Sequence, residues 1–182
     1  TDEVALECAK EAAGELRLDI EAAFSQGLPN TPMANAAIRV ISGNFVIARP
    51  VGIIDGIDHE HTGVARKIAY ETIHPILNAG GLVLLSPLGF SPTGEVFNLA
   101  MEDVAVAAAT ALRADKLVFI TELSMIHDAA GEEIREVSAH QASAVLDSGC
   151  LEADTAYYFR AATTAALSGV PRAHIVPFAT DG

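Results

Sequence analysis

The feature that most constrains the fold is an apolar run that leads through a Gly/Pro-rich loop into a helical pattern. The run covers residues 82–85, the loop contains two prolines and two glycines, and an Ala/Val-rich helical pattern starts at Asn98. A helix N-terminus offers unpaired N–H groups and the positive end of the helix dipole. A buried strand, an open loop and a helix start therefore predict an α/β chain with a ligand site in this region.

Helical patterns and apolar runs alternate along the rest of the chain. Apolar residues make up 51% of the sequence and aromatic residues only 5%, an aliphatic bias that suits a parallel sheet covered by helices on both faces. We therefore predict an α/β fold, a three-layer α/β/α sandwich with a mainly parallel sheet, as a single partial domain over residues 1–182. The predicted helices cover residues 2–14, 18–26, 70–78, 99–114 and 152–168, and the predicted strands cover residues 38–48, 82–86, 116–121 and 173–178, the middle two of them buried.

Two β-hairpins are predicted to project from the sandwich. Residues 50–69 form the first, in which a polar turn, DHEHTG, separates VGIIDGI from VARKIA. The second turns at about residues 129–131. Ser138 and Gln141 predict a capping box, because their side chains can satisfy each other's exposed backbone donors at a helix start.

Charge and cysteine content exclude several functions. The formal net charge is −13 and the 11 Lys and Arg residues are scattered, so we expect no nucleic-acid partner. No apolar run approaches the roughly 20 residues that span a bilayer, and we expect no membrane partner and a cytoplasmic location. Cys8 and Cys150 lie in no metal or redox spacing, which predicts reduced thiols in the core. Both chain ends look cut, since the sequence starts in a helical pattern and stops just after a strand.

Four segments, in the same order and with similar spacing, resemble the amino acid kinase domain of bacterial N-acetylglutamate synthases. They are VISGNFVIARPVGIIDGIDHEHTG, LLSPLGFSPTGEVFNLAMEDVA, LRADKLVFITEL and AALSGVPRAHIV. Acetylglutamate kinases, the nearest relatives within the same fold family, share these landmarks in altered form. The resemblance covers nearly the whole chain and implies the amino acid kinase fold.

The resemblance implies a parent enzyme in which a kinase-like domain precedes a separate acetyltransferase domain. That enzyme transfers acetyl from acetyl-CoA to the α-amine of L-glutamate and so opens arginine biosynthesis. Its kinase-like domain binds L-arginine as a feedback effector and helps to assemble a homo-oligomer. The resemblance implies no cofactor within this chain, and it leaves at most these residues at the border of the arginine site: His174, Ile175, Val176, Pro177 and Phe178.

The lysines that the family's kinases use have no counterpart here. Phosphoryl transfer needs fixed positive charge around the transferred oxygens. The resemblance puts one lysine in a Gly-Gly loop that would precede residue 1, and a second at the position of Tyr158. Lys10, Lys67 and Lys116 lie at no Gly-rich turn, and Arg160 points to a different helix face from Tyr158. We predict no kinase activity and, since no Gln/Arg-x-x-Gly-x-Gly/Ala string for acetyl-CoA occurs, no catalytic residue in this chain.

In this fold family the acylamino acid binds near the positions of Gly43, Asn44, Asn98 and Glu102. The chain reads NLAME where the kinases have Asn-Ile-Asn-Ala-Asp, so the second Asn is lost and the carboxylate side chain is longer. Two interpretations stay open. The four residues are a vestigial pocket for a glutamate-like ligand, or Asn98 caps a helix and Gly43 permits a bend.

Two polar clusters are typical of either a site or a turn. His59 and His61, flanked by acidic residues, would share a metal ion if they alternated on a strand, but a solvated hairpin tip is the favoured interpretation and we predict no metal. Asp128, Gly131 and Glu132 fall near the family's nucleotide region, and here too a hairpin turn is favoured.

Three functions follow from these observations. The leading hypothesis is the regulatory and assembly part of an N-acetylglutamate synthase, without kinase or acetyltransferase chemistry of its own. The first alternative is an active acylamino acid kinase that phosphorylates N-acetylglutamate with ATP. The second is a non-catalytic oligomerisation module with a vacant cleft.

Overall fold

The computed structural model describes residues 1–26, 38–122, 126–128 and 130–178, and it divides the chain into two compact units, Thr1–Val104 and Ala105–Gly182. Among the described residues, no helix combines the length and apolar character needed to span a bilayer. The elements, in chain order, are helix α1 (Glu3–Ser25), strands β1 (Val40–Ser42), β2 (Val46–Pro50), β3 (Ile53–Ile54), β4 (Ile57–Asp58) and β5 (Gly63–Ile68), helix α2 (Tyr70–Asn78), strands β6 (Leu82–Leu84), β7 (Leu88–Phe90) and β8 (Val96–Asn98), helix α3 (Met101–Ala111), strand β9 (Leu117–Thr121), helices α4 (Ala139–Ser148) and α5 (Ala153–Leu167), and strand β10 (Ala173–Pro177).

Helix α1 is one continuous helix of 23 residues. Asp2 caps it, because its Oδ1 accepts a hydrogen bond from the Ala5 N–H at 2.8 Å. The predicted break at Gly14, and with it the division into two helices, is wrong. A glycine inside a helix costs about 1 kcal/mol relative to alanine, which is too little to interrupt the hydrogen bonds of the turns on either side. Gly27, predicted to follow this helix, lies outside the described residues.

The four-stranded sheet of the first unit has the order β5-β2-β7-β8. Strand β2 pairs in parallel with β7 and antiparallel with β5, and β1 pairs in parallel with β6. The predicted open loop after residue 86 is wrong, since β7 and β8 form an antiparallel hairpin in which Leu88 faces Asn98 and Phe90 faces Val96. Each strand has only three residues, so its alternation is too short to stand out in the sequence.

The first projecting hairpin exists, but its turn lies elsewhere than predicted. Its outer end is the short pair β3 and β4, which turns at Asp55 and Gly56 with φ of 51° and 80°. Two successive residues of positive φ are typical of the type I′ turn that Asp-Gly favours. The DHEHTG segment therefore leads from the turn back into β5, and it is not the tip.

Two glycines of the first unit allow strands to approach the segment 97–99. A Cβ on Gly63 would lie 2.5 Å from the Cβ of Phe97, and a Cβ on Gly89 would lie 2.8 Å from the Cδ1 of Leu99. Both Phe97 and Leu99 are buried. The side chains of Phe97 and Leu99 thus fill the space beside Gly63 and Gly89 in the core of this unit.

In the second unit, β9 and β10 pair in parallel, with Leu117 opposite Ala173 and Phe119 opposite Ile175. One face of this pair is packed, and the buried cluster consists of Ala109, Leu117, Phe119, Ala165 and Val170. The other face is open at Val118 and Ile120, so the prediction of a fully buried strand over residues 116–121 is wrong. Buried and exposed residues alternate along β9, so only one face of the strand is packed.

Helices alternate with strand pairs, three of which are parallel, and this confirms the predicted α/β class. The helices predicted over residues 70–78, 99–114 and 152–168 are confirmed as α2, α3 and α5, and the capping box of Ser138 and Gln141 is confirmed at the start of α4. The single-domain organisation stays a prediction. Cys8 and Cys150 are exposed, so the expectation of core thiols is wrong. Cys150 directly follows Gly149, the left-handed residue that ends α4, where the chain runs along the surface.

Candidate functional site

The four residues of the predicted acylamino-acid pocket all belong to the first unit. Gly43 and Asn44 are exposed in the turn between β1 and β2, Asn98 is the last residue of β8, and Glu102 lies in the first turn of α3. A Cβ on Gly43 would lie 3.3 Å from the Phe45 ring. A small residue is therefore favoured at position 43 by close packing rather than by a left-handed backbone. The vestigial pocket stays a prediction.

Asn98 is held by strand contacts and does not cap α3. Its backbone N–H donates to the His61 carbonyl oxygen at 2.9 Å, and its Nδ2 donates to the Thr1 Oγ1 at 3.3 Å. Helix α3 begins three residues later, at Met101. The prediction that the helical pattern starts at Asn98 is wrong, and so is the capping interpretation.

Glu102 is the one ionisable side chain among these four residues. It retains 8% of its accessible surface, whereas the next residue, Asp103, is exposed. No hydrogen bond or ion pair reaches the Glu102 carboxylate from any part of the chain that the structure describes. Among the described residues, Thr110 Oγ1 is the one buried side-chain nitrogen or oxygen without a hydrogen-bond partner, so solvent reaches the Glu102 oxygens. The sequence placed Glu102 in the candidate pocket but carried no signal that most of its surface would be buried.

Tyr158, at the position that the resemblance assigns to a kinase lysine, packs against the core of the second unit. Its ring centroid lies 5.8 Å from that of Phe119, with the planes inclined by 58°. Arg160, on the same helix, is exposed. The segment therefore presents an aromatic ring to apolar neighbours where a phosphoryl-transfer site would need a cation.

Residues 174–176 of β10, part of the predicted effector border, line an open cavity of about 770 Å³ in the second unit. The same cavity is lined by Phe159 and Thr163 of α5, by Ser138 at the start of α4, and by two cations, Arg135 and Arg172. Sequence reasoning missed it, because its walls come from segments that lie far apart along the chain.

The backbone conformation distinguishes between a site and a turn for the two polar clusters. His59 and His61 follow β4 instead of alternating on a strand, with Glu60 between them at a φ of 48°. The described residues contain no group of three His, Cys, Asp or Glu side chains that could hold a metal ion.

The second hairpin turn is confirmed at Asp128, in the residues of it that the structure describes. Asp128 Oδ1 accepts hydrogen bonds from the Ala130 N–H at 2.8 Å and the Glu132 N–H at 3.0 Å, and Gly131 has a φ of 83°. The Asp128 carboxylate thus supports the turn, which is the interpretation favoured from the sequence.

Comparison with known proteins adds a family and close relatives. The family model described as "Amino acid kinase family" matches residues 1–177. The amino-acid acetyltransferase of Ralstonia nicotianae is 61% identical over 182 residues, a match that covers 100% of this chain and 40% of that protein. The chain therefore spans about two fifths of the length of this curated relative.

Two solved structures of N-acetylglutamate synthase from Neisseria gonorrhoeae superpose on the chain. The complex with coenzyme A and L-arginine matches with a TM-score of 0.88 and 36% identity, over 100% of this chain and 42% of that one. The complex with coenzyme A and N-acetyl-glutamate matches with a TM-score of 0.87 and 35% identity, over 100% of this chain and 40% of that one.

Proposed function

The chain belongs to the amino acid kinase family, and on this premise we propose that it is the kinase-like regulatory and assembly part of an amino-acid acetyltransferase, an N-acetylglutamate synthase. The proposal is supported by relatives of that name that match the entire chain over only part of their own length. The whole protein would transfer acetyl from acetyl-CoA to the α-amine of L-glutamate in the cytoplasm. This chain would contribute no catalytic residue and no cofactor site.

The observation that carries the absence of kinase activity is the environment of Tyr158. An aromatic ring packed against Phe119 cannot neutralise the charge of a migrating phosphoryl group. Lys67 and Lys116 are exposed, and Lys10 forms an ion pair with Glu7 at 2.6 Å. None of the three is placed beside Tyr158 in sequence or at a Gly-rich turn.

A regulatory role would be exercised through L-arginine. The synthase from Neisseria gonorrhoeae that forms a complex with L-arginine supports this effector for the whole protein. Residues 174–176 of β10 line a cavity whose walls also include Arg135 and Arg172. Arg135 is paired with Glu133, and Glu136 also lines the cavity, so both charge signs are present there. Because the resemblance leaves at most the border of the effector site in this chain, the chain by itself should bind L-arginine weakly or not at all.

An assembly role is favoured by apolar side chains that α1 leaves exposed on more than one of its faces. Val4, Leu16 and Leu18 are all more than half exposed on this helix. Apolar side chains that face water in one copy are commonly covered in an oligomer. We expect a homo-oligomer, and light scattering after size-exclusion chromatography, with and without L-arginine, distinguishes an effector-sensing chain from a plain oligomerisation module.

The experiment that tests the proposal against the kinase alternative is a coupled ADP assay with ATP, Mg²⁺ and N-acetyl-L-glutamate. No ADP release above the substrate-free background is expected. Turnover that depends on N-acetyl-L-glutamate would instead establish an acylamino acid kinase. Calorimetric titration with L-arginine should give little heat, and micromolar affinity would contradict the placement of the effector site.

A further inference from the structure

We propose that a β-ribbon of the first unit binds the same ribbon of a second copy of this chain, with the two ribbons antiparallel across a two-fold axis. The ribbon is residues 46–68. Its base consists of residues 46–50 and 63–68, which contain β2 and β5, and its tip consists of residues 51–62, which contain β3 and β4. The proposal rests on the assembly role proposed above, and it deepens that role by naming the surface and the partner.

Hydrogen bonds make the ribbon one continuous element. Strand β2 pairs antiparallel with β5, and β3 pairs antiparallel with β4. Between these pairs, the Val51 N–H donates to the Thr62 carbonyl oxygen at 2.9 Å, and the His59 N–H donates to the Gly52 carbonyl oxygen at 3.1 Å. Base and tip are therefore held at fixed places along one backbone ladder.

The two ends of the ribbon carry opposite charges. Three cations and no carboxylate lie in the base, whereas three carboxylates and neither lysine nor arginine lie in the tip. All six side chains are exposed, and no ion pair of the described residues includes any of them. Asp58 Oδ1 accepts a hydrogen bond from the Glu60 N–H at 2.9 Å, which leaves its charge uncompensated. The cations are Arg49, Arg66 and Lys67, and the carboxylates are Asp55, Asp58 and Glu60.

Arg49 and Asp58 lie too far apart along one ribbon to neutralise each other. Asp58 lies opposite Ile53, and a strand rises about 3.3 Å per residue, so the stretch from Arg49 to Ile53 spans about 13 Å. The Debye length at physiological ionic strength is about 8 Å. Each of the two charges is therefore left for a partner.

The tip also exposes apolar surface. Ile53, Ile54 and Ile57 keep 72%, 49% and 65% of their accessible surface. Because Ile53 lies opposite Asp58, apolar and charged side chains alternate within the tip. Clustered apolar side chains that face water mark a protein contact surface. A small ion would satisfy the carboxylates but would leave these isoleucines uncovered.

A second copy matches both features when the two ribbons run in opposite directions. In a two-fold contact, each residue meets the residue that lies equally far on the other side of the axis. Asp58 is level with Ile53. Residue 53 and Arg49 lie two positions on either side of Val51. An axis at Val51 therefore brings Asp58 of one copy to Arg49 of the other.

The same axis brings Asp55 to the level of Lys67. Residue 47 pairs with Lys67, and residues 47 and 55 both lie four positions from Val51. Ribbons that ran in the same direction would instead place carboxylates against carboxylates. The net charge of −13 makes two copies repel each other at long range, so their contact needs local opposite charges. The charge pattern therefore favours the antiparallel arrangement.

The test is a charge exchange, followed by sedimentation velocity over a range of protein concentrations. Asp58→Lys and Arg49→Glu should each weaken association at least about tenfold, because each converts two attractions per pair of copies into repulsions. The double variant, Asp58→Lys with Arg49→Glu, restores opposite charges and keeps the net charge of −13. Its affinity should return to within about threefold of that of the unmodified chain.

Asp115→Lys is the matched control. It changes the net charge as Asp58→Lys does, at an exposed position outside the ribbon, and it should not weaken association. Circular dichroism checks the fold of each variant. If a charged variant fails to fold, Ile57→Thr takes its place, because it removes exposed apolar surface without a change of charge. It should weaken association at least about threefold.

Each outcome decides the proposal. Association that the single variants do not weaken, that the double variant does not restore, or that Asp115→Lys weakens equally would overturn it and leave the assembly role to another surface. A chain that stays monomeric at every concentration would overturn the proposal and the assembly role together. The ADP assay judges the absence of kinase activity separately, so the failures are distinguishable.

Discussion

The substitution of glycine by alanine should have opposite effects at Gly63 and Gly14, although both residues lie in the first unit. At Gly63 the new Cβ would lie 2.5 Å from the Cβ of Phe97 and 2.9 Å from the Cδ2 of Leu99. Carbon atoms pack at about 3.5–4.0 Å, so buried atoms must move by about 1 Å. Overpacking of this kind costs about 1–3 kcal/mol.

Gly14 offers the matched control. It lies inside α1, and no atom lies within 4 Å of a Cβ built there. Alanine at this helix position should stabilise the protein by about 0.5–1 kcal/mol, because it restricts the unfolded chain and favours the helix. For a chain of this length, 1 kcal/mol corresponds to a change in melting temperature of about 2–4 °C.

Urea unfolding followed by far-ultraviolet circular dichroism measures both effects. Gly63→Ala should lower the midpoint and Gly14→Ala should raise it, each with little change in the m-value. The reasoning is refuted if Gly63→Ala is as stable as the unmodified protein, since the close approach of β5 to Phe97 and Leu99 would then not exist.

Three further predictions concern a helix cap, the lost lysine position and a turn. Ser138→Ala removes the acceptor of the Gln141 N–H and should cost about 1 kcal/mol in thermal unfolding. Ser143→Ala is its control, because the Ser143 hydroxyl only donates to the Ala139 carbonyl oxygen within α4, and it should change stability little. Tyr158→Lys should destabilise the protein by about 2–4 kcal/mol, because it loses the packing against Phe119 and partly buries a charge. The variant should release no ADP. Tyr157→Lys, at a more exposed position, is its control. Gly56→Ala forces a side chain into positive φ and should cost about 1 kcal/mol, with faster hydrogen exchange at the His59 amide, which donates to the Gly52 carbonyl oxygen at 3.1 Å.

Local chemistry made several elements predictable. The bounds of α2 follow from a helical pattern ended by Gly80 and Gly81, and α5 ends before Gly169, whose φ is 100°. The capping box at Ser138 could be predicted because both of its hydrogen bonds join residues that are three positions apart. The Asp55–Gly56 turn carried a similar local signal, and it was outweighed by the longer polar segment that follows it.

The candidate site was predictable only in part. The resemblance indicated that Tyr158 stands at one of the kinase-lysine positions, and the sequence placed Glu102 near the start of a helix. It did not reveal that Asn98 would end a strand, because three-residue strands have no distinctive period. Nor did it reveal the cavity beside β10, whose walls come from the second hairpin, α4, α5 and β10.

By itself, the sequence determined the α/β class, the family and the presence of Tyr158 at one kinase-lysine position of the resemblance, since these depend on residue identity and on short-range periodicity. Only the tertiary structure decided that α1 continues through Gly14, that one face of β9 stays open, and that most of the Glu102 surface is buried. These outcomes depend on contacts between residues distant along the chain, and a pattern read over neighbouring residues cannot contain them.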